Sequence, residues 1–402
     1  MRGVAAISVV VYHLILVFYP RIAYGDNSSI SVRHSSIENV LYGTPLNSIF
    51  SGLFAVSIFF VLSGFVLSIG FFKSGDESVI KKLAAKRYLR LMLPALASVI
   101  LAYILIKTDL SHFREQAAQI VGGGSAGIQW NFAPHILDAI KQGAWSIFMT
   151  GEDSYNRVLW TMHYEFFGSF MIFATLFVFG AMKSRWIIYA FLLLATISTW
   201  YFGFVIGVIL ADLYVNTNVL KNIKKHTYAG PIILILGLFL GGYPALTSTG
   251  TMYSFLRLPF FTDIQNTTFY LGIAASLLIV SVLCVDFVKR FFSHKYISIL
   301  GKYTFSLYLT HILVILTVTT ALFVFFNSFM GYGKSVLFAT ALSLPVIVGV
   351  AWVFEKYIDG PSIKLSGSIA KKIDGDELIT PIVLKRYYNS MKIKVFKVIR
   401  KR

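Results

Sequence analysis

Residues 2–19 read RGVAAISVVVYHLILVFY, an apolar run that carries Arg2 at its start and His13 eleven positions later. Eleven residues of helix rise about 16 Å, roughly half of a bilayer core that is about 30 Å thick. If Arg2 lies at one membrane face, His13 therefore lies near the midplane. Ionisable groups are costly at that depth and usually line a cavity or a pathway. The run thus predicts a membrane helix that borders an interior site.

The composition of the chain is that of a polytopic membrane protein. Its 402 residues are 56% hydrophobic and 13% charged, whereas soluble domains carry about 25% charged residues. The 36 Phe and 22 Tyr residues are typical of surfaces that face lipid. The single cysteine, Cys284, excludes a disulfide framework and a thiolate metal site. No cleavage site follows the first apolar run, so we expect it to be a retained span.

Apolar runs of about twenty residues predict ten spans. They lie near residues 2–19, 48–72, 91–107, 158–182, 186–200, 202–216, 229–246, 267–287, 303–326 and 335–357. With the N-terminus inside, inner loops carry clearly more Lys and Arg than outer loops, as cytoplasmic loops do. We therefore predict an all-α, polytopic transmembrane helical bundle with about ten spans and both termini cytoplasmic. The outer loop over residues 108–157 is the longest, with a short amphipathic helix expected around His135–Trp145.

The net charge of +18 has a membrane explanation, because much of it lies in the predicted inner loops and in the C-terminal tail. The last residues, MKIKVFKVIRKR at 391–402, alternate bases with apolar side chains. Such a segment favours contact with anionic lipid over contact with nucleic acid. We expect the bilayer as a partner and no nucleic acid. The sequence leaves the oligomeric state open.

Six short motifs occur in order along the predicted spans. They are Arg2-x10-His13, FFVLSGFVL at 59–67, KRYLR at 86–90 with Pro94, LWTMHYEFFGSF at 159–170, YTFSLYLTHILV at 303–314 and FEKYIDGP at 354–361. Together they resemble the signature of the acyltransferase-3 family, with Lys in the first basic place of the third motif and the final proline displaced to Pro361. The resemblance predicts an acyltransferase-3-like transmembrane domain over residues 1–360 and a basic cytoplasmic tail over residues 361–402.

This resemblance implies transfer of an acyl group, most often acetyl from cytoplasmic acetyl-CoA, to a hydroxyl of a carbohydrate. Typical acceptors in the family are O-antigen of lipopolysaccharide, other exported polysaccharides and peptidoglycan. Acyl-CoA and a carbohydrate, which could be lipid-linked, are the partners that it implies, with acetyl-CoA as a substrate and no permanently bound cofactor. It also implies location in the bacterial cytoplasmic (inner) membrane.

Cationic residues near the inner face are candidates for binding such a donor, because its phosphates are anionic and Arg can contact phosphate in a bidentate manner. The donor-binding candidates are Arg2, Lys86, Arg87, Arg90, Ser63, Gly64 and Phe65. Lys86 and Arg90 are four residues apart and share a helix face. The basic residues could instead be topology anchors, and Ser63 with Gly64 could serve close helix packing.

His13 and Glu165 are the predicted catalytic residues. An imidazole titrates near neutrality, so His13 could be a general base on a sugar hydroxyl or a transient acyl carrier. It could instead be hydrogen-bonded in a contact between helices. Glu165 lies well inside the fourth predicted span and needs a partner there. That partner could be His13 or a guanidinium of the third span.

Four further residues are expected to line the acceptor side of a cavity. They are Trp160, Tyr164, Tyr308 and His311. Tyr308 and His311 are three residues apart and share a face, whereas the other two could belong to an aromatic belt. The histidines show no metal-ligand spacing such as HExxH, and we predict no metal site.

Two functions of other classes remain open from the sequence. A secondary transporter could also have ten spans and buried Arg, His and Glu, although the chain shows no internal repeat. A non-catalytic component of surface-glycan export is the second alternative. Clustering of His13, Arg90 and Glu165 in one cavity that is open to both faces would favour the enzyme.

Overall fold

In this computed structural model, residues 1–25, 32–123, 127 and 129–375 are described, and they form helices and connecting turns without a β-strand. The longer helices are α1 (Arg2–Phe18), α2 (Gly52–Ser74), α3 (Ser78–Lys107), α4 (Trp160–Phe179), α5 (Arg185–Thr196), α6 (Tyr201–Asn216), α7 (Ala229–Gly241), α8 (Asp263–Cys284), α9 (Lys295–Val314), α10 (Tyr332–Phe354) and α11 (Gly360–Gly375).

Short elements join these helices. The α-helical ones are Pro20–Tyr24, Ile37–Leu41, Phe113–Val121, Ile136–Lys141, Ile147–Met149, Val219–Lys225, Asp286–Phe292 and Thr320–Asn327. The 3-10 turns are Pro45–Ile49, Arg157–Leu159 and Ser254–Leu256, and the π turns are Gln142–Ser146, Ile315–Thr319 and Glu355–Asp359.

The all-α membrane class is confirmed. Among the described residues, six helices are long and apolar enough to cross a bilayer, and α6 with Val219–Lys225, bent by 78°, makes a seventh. The helices α1, α5 and α7 are apolar but shorter. Each of the ten predicted ranges overlaps one of these helices, whereas the number of spans and the side of the termini stay predictions.

Helix α2 is the centre of the bundle and packs most extensively against α6. The two helices touch through glycines, because a Cβ on Gly64 would lie 2.2 Å from the Phe204 carbonyl oxygen and one on Gly207 would lie 2.2 Å from that of Val61. Small residues let membrane helices approach this closely. The packing explanation therefore accounts for Gly64.

Helix α1 packs against α9 and α2. A Cβ on Gly3 would lie 2.7 Å from the Leu300 Cβ, so the start of α1 is held against the first half of α9. The side chains of Arg2, Arg87, Arg90 and Lys302 consequently meet at one end of the bundle. We call this the basic end.

The last of the described helices run on past the predicted domain boundary at residue 360. Helix α10 continues through the π turn Glu355–Asp359 into α11, which packs along α3. A π turn holds one extra residue and often marks a functional position. Residues 376–402, which make up most of the predicted tail, lie outside the described residues.

The long predicted outer loop differs from expectation in its last third. A helix does begin at Ile136, but the following π turn packs into the side of α3, where a Cβ on Gly143 would lie 2.7 Å from the Leu96 Cα. The Tyr88 hydroxyl donates to the carbonyl of Ala144 in the same turn. The chain then returns to Asn156, whose amide donates to the Leu309 carbonyl at 2.9 Å. Helix α4 therefore starts within the bundle and carries Glu165 close to its own N-terminus.

Candidate functional site

A cavity of about 500 Å³ lies at the basic end, enclosed by α1, α2, α3, α4, α9 and the segment from α10 to α11. Its polar and charged lining residues are Arg2, Ser63, Arg87, Arg90, Thr161, Glu165, Lys302, Thr304, Tyr308, Glu355 and Asp359. Its apolar lining includes Val56, Phe59, Phe60, Leu67, Leu91, Met162 and Phe305. The cavity thus combines a charged rim with an apolar interior.

Glu165 joins three elements at this cavity. The Arg87 guanidinium donates to Glu165 Oε1, and the Ser63 hydroxyl donates to the same oxygen at 2.7 Å. The side chains of Arg87 and Glu165 are 13% and 14% exposed, so the pair is largely buried. Of the two partners expected for Glu165, the structure therefore provides the guanidinium of the third span.

Arg2 lies beside this pair. Its Nη2 atom lies 3.5 Å from the Ser63 hydroxyl oxygen, and it forms no ion pair with a carboxylate of the described residues. By contrast, Arg87 is occupied by Glu165. Arg2 is therefore the guanidinium of the cavity whose charge is left available to an anionic ligand.

The π turn before α11 supplies two further carboxylates to the rim. Arg90 donates to Asp359 Oδ1 at 2.5 Å and to the Ser362 hydroxyl at 3.3 Å. Lys302 lies 3.3 Å from Glu355 Oε1. An anion that enters the cavity thus competes with protein carboxylates for two of its cations.

Tyr308 closes the inner part of the cavity. Its hydroxyl donates to the Val158 carbonyl at 2.7 Å and accepts a hydrogen bond of 2.8 Å from the Thr161 hydroxyl. The Phe59 ring meets the Tyr308 ring edge-on at 6.0 Å. These contacts hold an aromatic wall between the cavity and the next residues of α9.

His13 and His311 form a pair directly behind this wall. His13 Nδ1 lies 3.1 Å from His311 Nε2, and the ring centroids are 4.9 Å apart. The centroids of the His311 and Tyr308 rings are 6.2 Å apart. Neither histidine lines the cavity itself. Along α1, His13 is about 16 Å from Arg2, so the pair marks the inner limit of the site.

Several candidates lie away from the cavity. Lys86 does not line it, so the two neighbouring charges on α3 that do are Arg87 and Arg90 rather than Lys86 and Arg90. Gly64 packs on α6, and the Phe65 ring faces Tyr214 at 6.0 Å. Gly64 and Phe65 lie away from the cavity because the face of α2 that follows Ser63 packs against α6.

The predicted acceptor residues Trp160 and Tyr164 also lie outside the cavity wall. The ring centroids of Trp160 and Trp200 are 5.2 Å apart, and those of Tyr164 and Tyr201 are 5.3 Å apart. Both belong to an aromatic cluster behind Phe60, which itself lines the cavity. They support that wall rather than face the open volume.

Sequence reasoning missed Lys302, Glu355 and Asp359 as lining residues. Glu355 and Asp359 stand within the FEKYIDGP motif, which was the available signal. Glu355 and Asp359 are four residues apart, so a regular α-helix would place them on the same face. The direction in which that face points depends on the π turn. That turn cannot be read from apolar periodicity.

The family model of acyltransferase-3, described as an acyltransferase domain, matches residues 1–355. The match covers all the described residues of the cavity except Asp359 and Ile363. No curated protein and no solved structure matches the chain.

Proposed function

The chain belongs to the acyltransferase-3 family, and we propose that it is an O-acyltransferase that moves acetyl from cytoplasmic acetyl-CoA to a hydroxyl of a surface or lipid-linked glycan. The proposal places it in the bacterial inner membrane with the basic end facing the cytoplasm. The observation that carries it is the cavity, whose cationic rim leads through an apolar interior towards His13.

The cavity suits the two halves of an acyl-CoA. Phosphates of the nucleotide half would bind Arg2 at the rim, together with Arg90 and Lys302 after these release their carboxylates. Charge-assisted contacts of Arg to phosphate are among the strongest hydrogen bonds in proteins. The pantetheine arm would lie along the apolar faces of Phe59 and Met162 and point the thioester at the end that Tyr308 closes.

The His13 imidazole would act as the general base. Its free nitrogen takes the proton of the acceptor hydroxyl while the hydroxyl oxygen bonds to the thioester carbonyl carbon. The carbon–sulfur bond then breaks, and the departing thiolate takes the same proton from the imidazolium. The products are an acetyl ester and CoA. An acyl-histidine intermediate would divide this transfer into two steps with the same balance.

Reaching His13 requires the side chain of Tyr308 to give way, because its ring separates the cavity from the histidine pair. Glu165 makes no contact with His13 and instead holds Arg87 and Ser63 in place. We therefore assign Glu165 to the architecture of the donor cavity rather than to proton transfer. The acceptor would approach His13 from the end of the bundle opposite the basic end.

The test uses inverted inner-membrane vesicles, which hold the endogenous glycans and expose the basic end to added acetyl-CoA. With the acetyl group radiolabelled, alkali-labile label in glycan should appear with the wild type and fall at least a hundredfold with His13→Ala. His112→Ala, an exposed loop histidine, is the matched control. Equal label with wild type and His13→Ala rejects the role of His13. No label above that of vesicles lacking the protein rejects the proposed reaction.

A further inference from the structure

The two histidines are linked to their own helices in the same way. His311 Nδ1 lies 2.9 Å from the Leu307 carbonyl oxygen, four residues earlier on α9. His13 Nδ1 lies 2.9 Å from the Val9 carbonyl oxygen, four residues earlier on α1. A carbonyl oxygen can only accept a hydrogen bond. Both Nδ1 atoms must therefore carry a proton.

This assignment determines the direction of the bond between the rings. A neutral imidazole carries one proton, so His311, protonated at Nδ1, has a bare Nε2 that can only accept. That Nε2 faces His13 Nδ1 at 3.1 Å, and the proton on His13 Nδ1 is shared between it and the Val9 carbonyl. If His311 Nε2 donated to His13 Nδ1 instead, both Nδ1 atoms would be bare. Their lone pairs would then face the carbonyl oxygens of Val9 and Leu307.

We propose that His311 is the positioning residue of His13: it accepts from Nδ1, fixes the ring and leaves Nε2 of His13 as the nitrogen that takes the substrate proton. This inference rests on the proposed function. When Nε2 is protonated, the Nδ1 proton of the imidazolium stays between two acceptors that are already in place. No group has to move to stabilise the charge, which is the advantage of preorganised acceptors.

The surroundings explain why an imidazole serves here. In other enzymes a carboxylate often orients the catalytic histidine. At this depth a carboxylate would be a second buried charge beside the His13 imidazolium, and buried charges are costly in a membrane. His311 is fully buried on α9, and as a neutral acceptor it supplies the orienting contact without a charge.

The experiment compares two substitutions at position 311 in the same inverted vesicles. The amide oxygen of Gln can occupy the place of Nε2, whereas Leu fills a similar volume without an acceptor. We expect His311→Leu to lower the maximal rate about ten- to a hundredfold with an unchanged KM for acetyl-CoA, a loss comparable to that on removing the hydrogen-bond partner of a metal-binding histidine. His311→Gln should recover most of the rate. Thr310→Val, which replaces a buried neighbour on α9, is the control for packing.

Three results would overturn the inference: a maximal rate retained in His311→Leu, equal losses with Leu and Gln, or a loss confined to KM. A second measurement does not need the reaction. Diethylpyrocarbonate modifies bare imidazole nitrogens, and its rate at His13 can be mapped by mass spectrometry on the purified full chain, with His112 as the internal standard. We expect a slower rate at His13 in His311→Leu and a restored one in His311→Gln.

Equal rates of diethylpyrocarbonate modification at His13 in the wild type, His311→Leu and His311→Gln would refute the positioning role even if the vesicles were inactive. Conversely, inactive wild-type vesicles combined with the expected labelling pattern would reject the proposed reaction while keeping the link between the histidines. The failure of one proposal is thus distinguishable from the failure of the other.

Discussion

Arg90 on α3 and Asp359 in the π turn before α11 are joined by a 2.5 Å hydrogen bond although they lie 269 residues apart. The Asp359 side chain is 3% exposed and that of Arg90 is 25% exposed. The pair closes part of the cavity rim and keeps a cation that faces the cavity neutralised. The last of the described helices therefore influence the charge that a ligand meets on α3.

Asp359→Asn should strengthen donor binding. The amide can still accept from Arg90 but no longer cancels its charge, so a phosphate meets less competition. We expect the KM for acetyl-CoA in vesicles to fall about three- to tenfold, which corresponds to roughly 1 kcal/mol. The maximal rate should be little changed. Asp263→Asn, which affects an exposed ion pair with Arg257, is the control. A raised KM would show that Asp359 helps donor binding.

Arg2→Gln should weaken donor binding, because Arg2 is the guanidinium at the cavity that no carboxylate of the described residues occupies. We expect the KM for acetyl-CoA to rise about tenfold, as expected for the loss of one hydrogen bond to a charged group. Lys86→Gln removes an equal positive charge from a residue of the KRYLR motif that does not line the cavity, and it should change the KM less than twofold. Equal effects of both substitutions would mean that only the general charge of this end matters.

Glu165→Gln should destabilise the protein by leaving the Arg87 guanidinium buried without a counter-charge. Removing one partner of a buried ion pair costs about 3–5 kcal/mol. We expect a lower midpoint of thermal aggregation in detergent, measured by size-exclusion chromatography after heating. The double variant Glu165→Gln with Arg87→Met should lose less than the sum of the single variants, because residues of one pair are coupled. Additive losses would indicate that the two side chains act independently.

Gly64→Ala should prevent normal packing of α2 on α6. The added Cβ would lie 2.2 Å from the Phe204 carbonyl oxygen, and a backbone atom can move away only if the helices separate. We expect a clear loss of folded protein in the membrane. Gly349→Ala is the matched control, since α10 leaves open space at that position and alanine favours helix. If both variants accumulate to wild-type levels, α2 and α6 are less tightly joined than the 2.2 Å approach implies.

The sequence was sufficient for the class of fold and for the neighbourhood of the main charges. Apolar runs overlapped each of the helices α1 to α10, because a bilayer demands about twenty apolar residues per span, but they did not predict α11 or the first half of α3. The site was harder to predict, because the direction in which a side chain faces depends on local departures from regular helix geometry. The π turn at Glu355–Asp359 and the return of the chain at Asn156 both leave the regular helix period, and neither has a hydropathy signal. The sequence also did not decide which basic residues of α3 line the cavity. That choice among Lys86, Arg87 and Arg90 depends on helices that are distant in sequence.

The contact between Asn156 and Leu309 has a consequence for biogenesis. The acceptor that the Asn156 amide contacts at 2.9 Å is a carbonyl made 153 residues later, so a nascent chain that has emerged only as far as α4 offers this buried group only the Ser98 hydroxyl, 3.4 Å away on α3. The segment from Ile136 to Asn156 therefore completes its native hydrogen bonds only after α9 has been made. A fragment that stops before α9 therefore leaves the Asn156 amide without its shorter hydrogen bond, and the site is completed late in assembly.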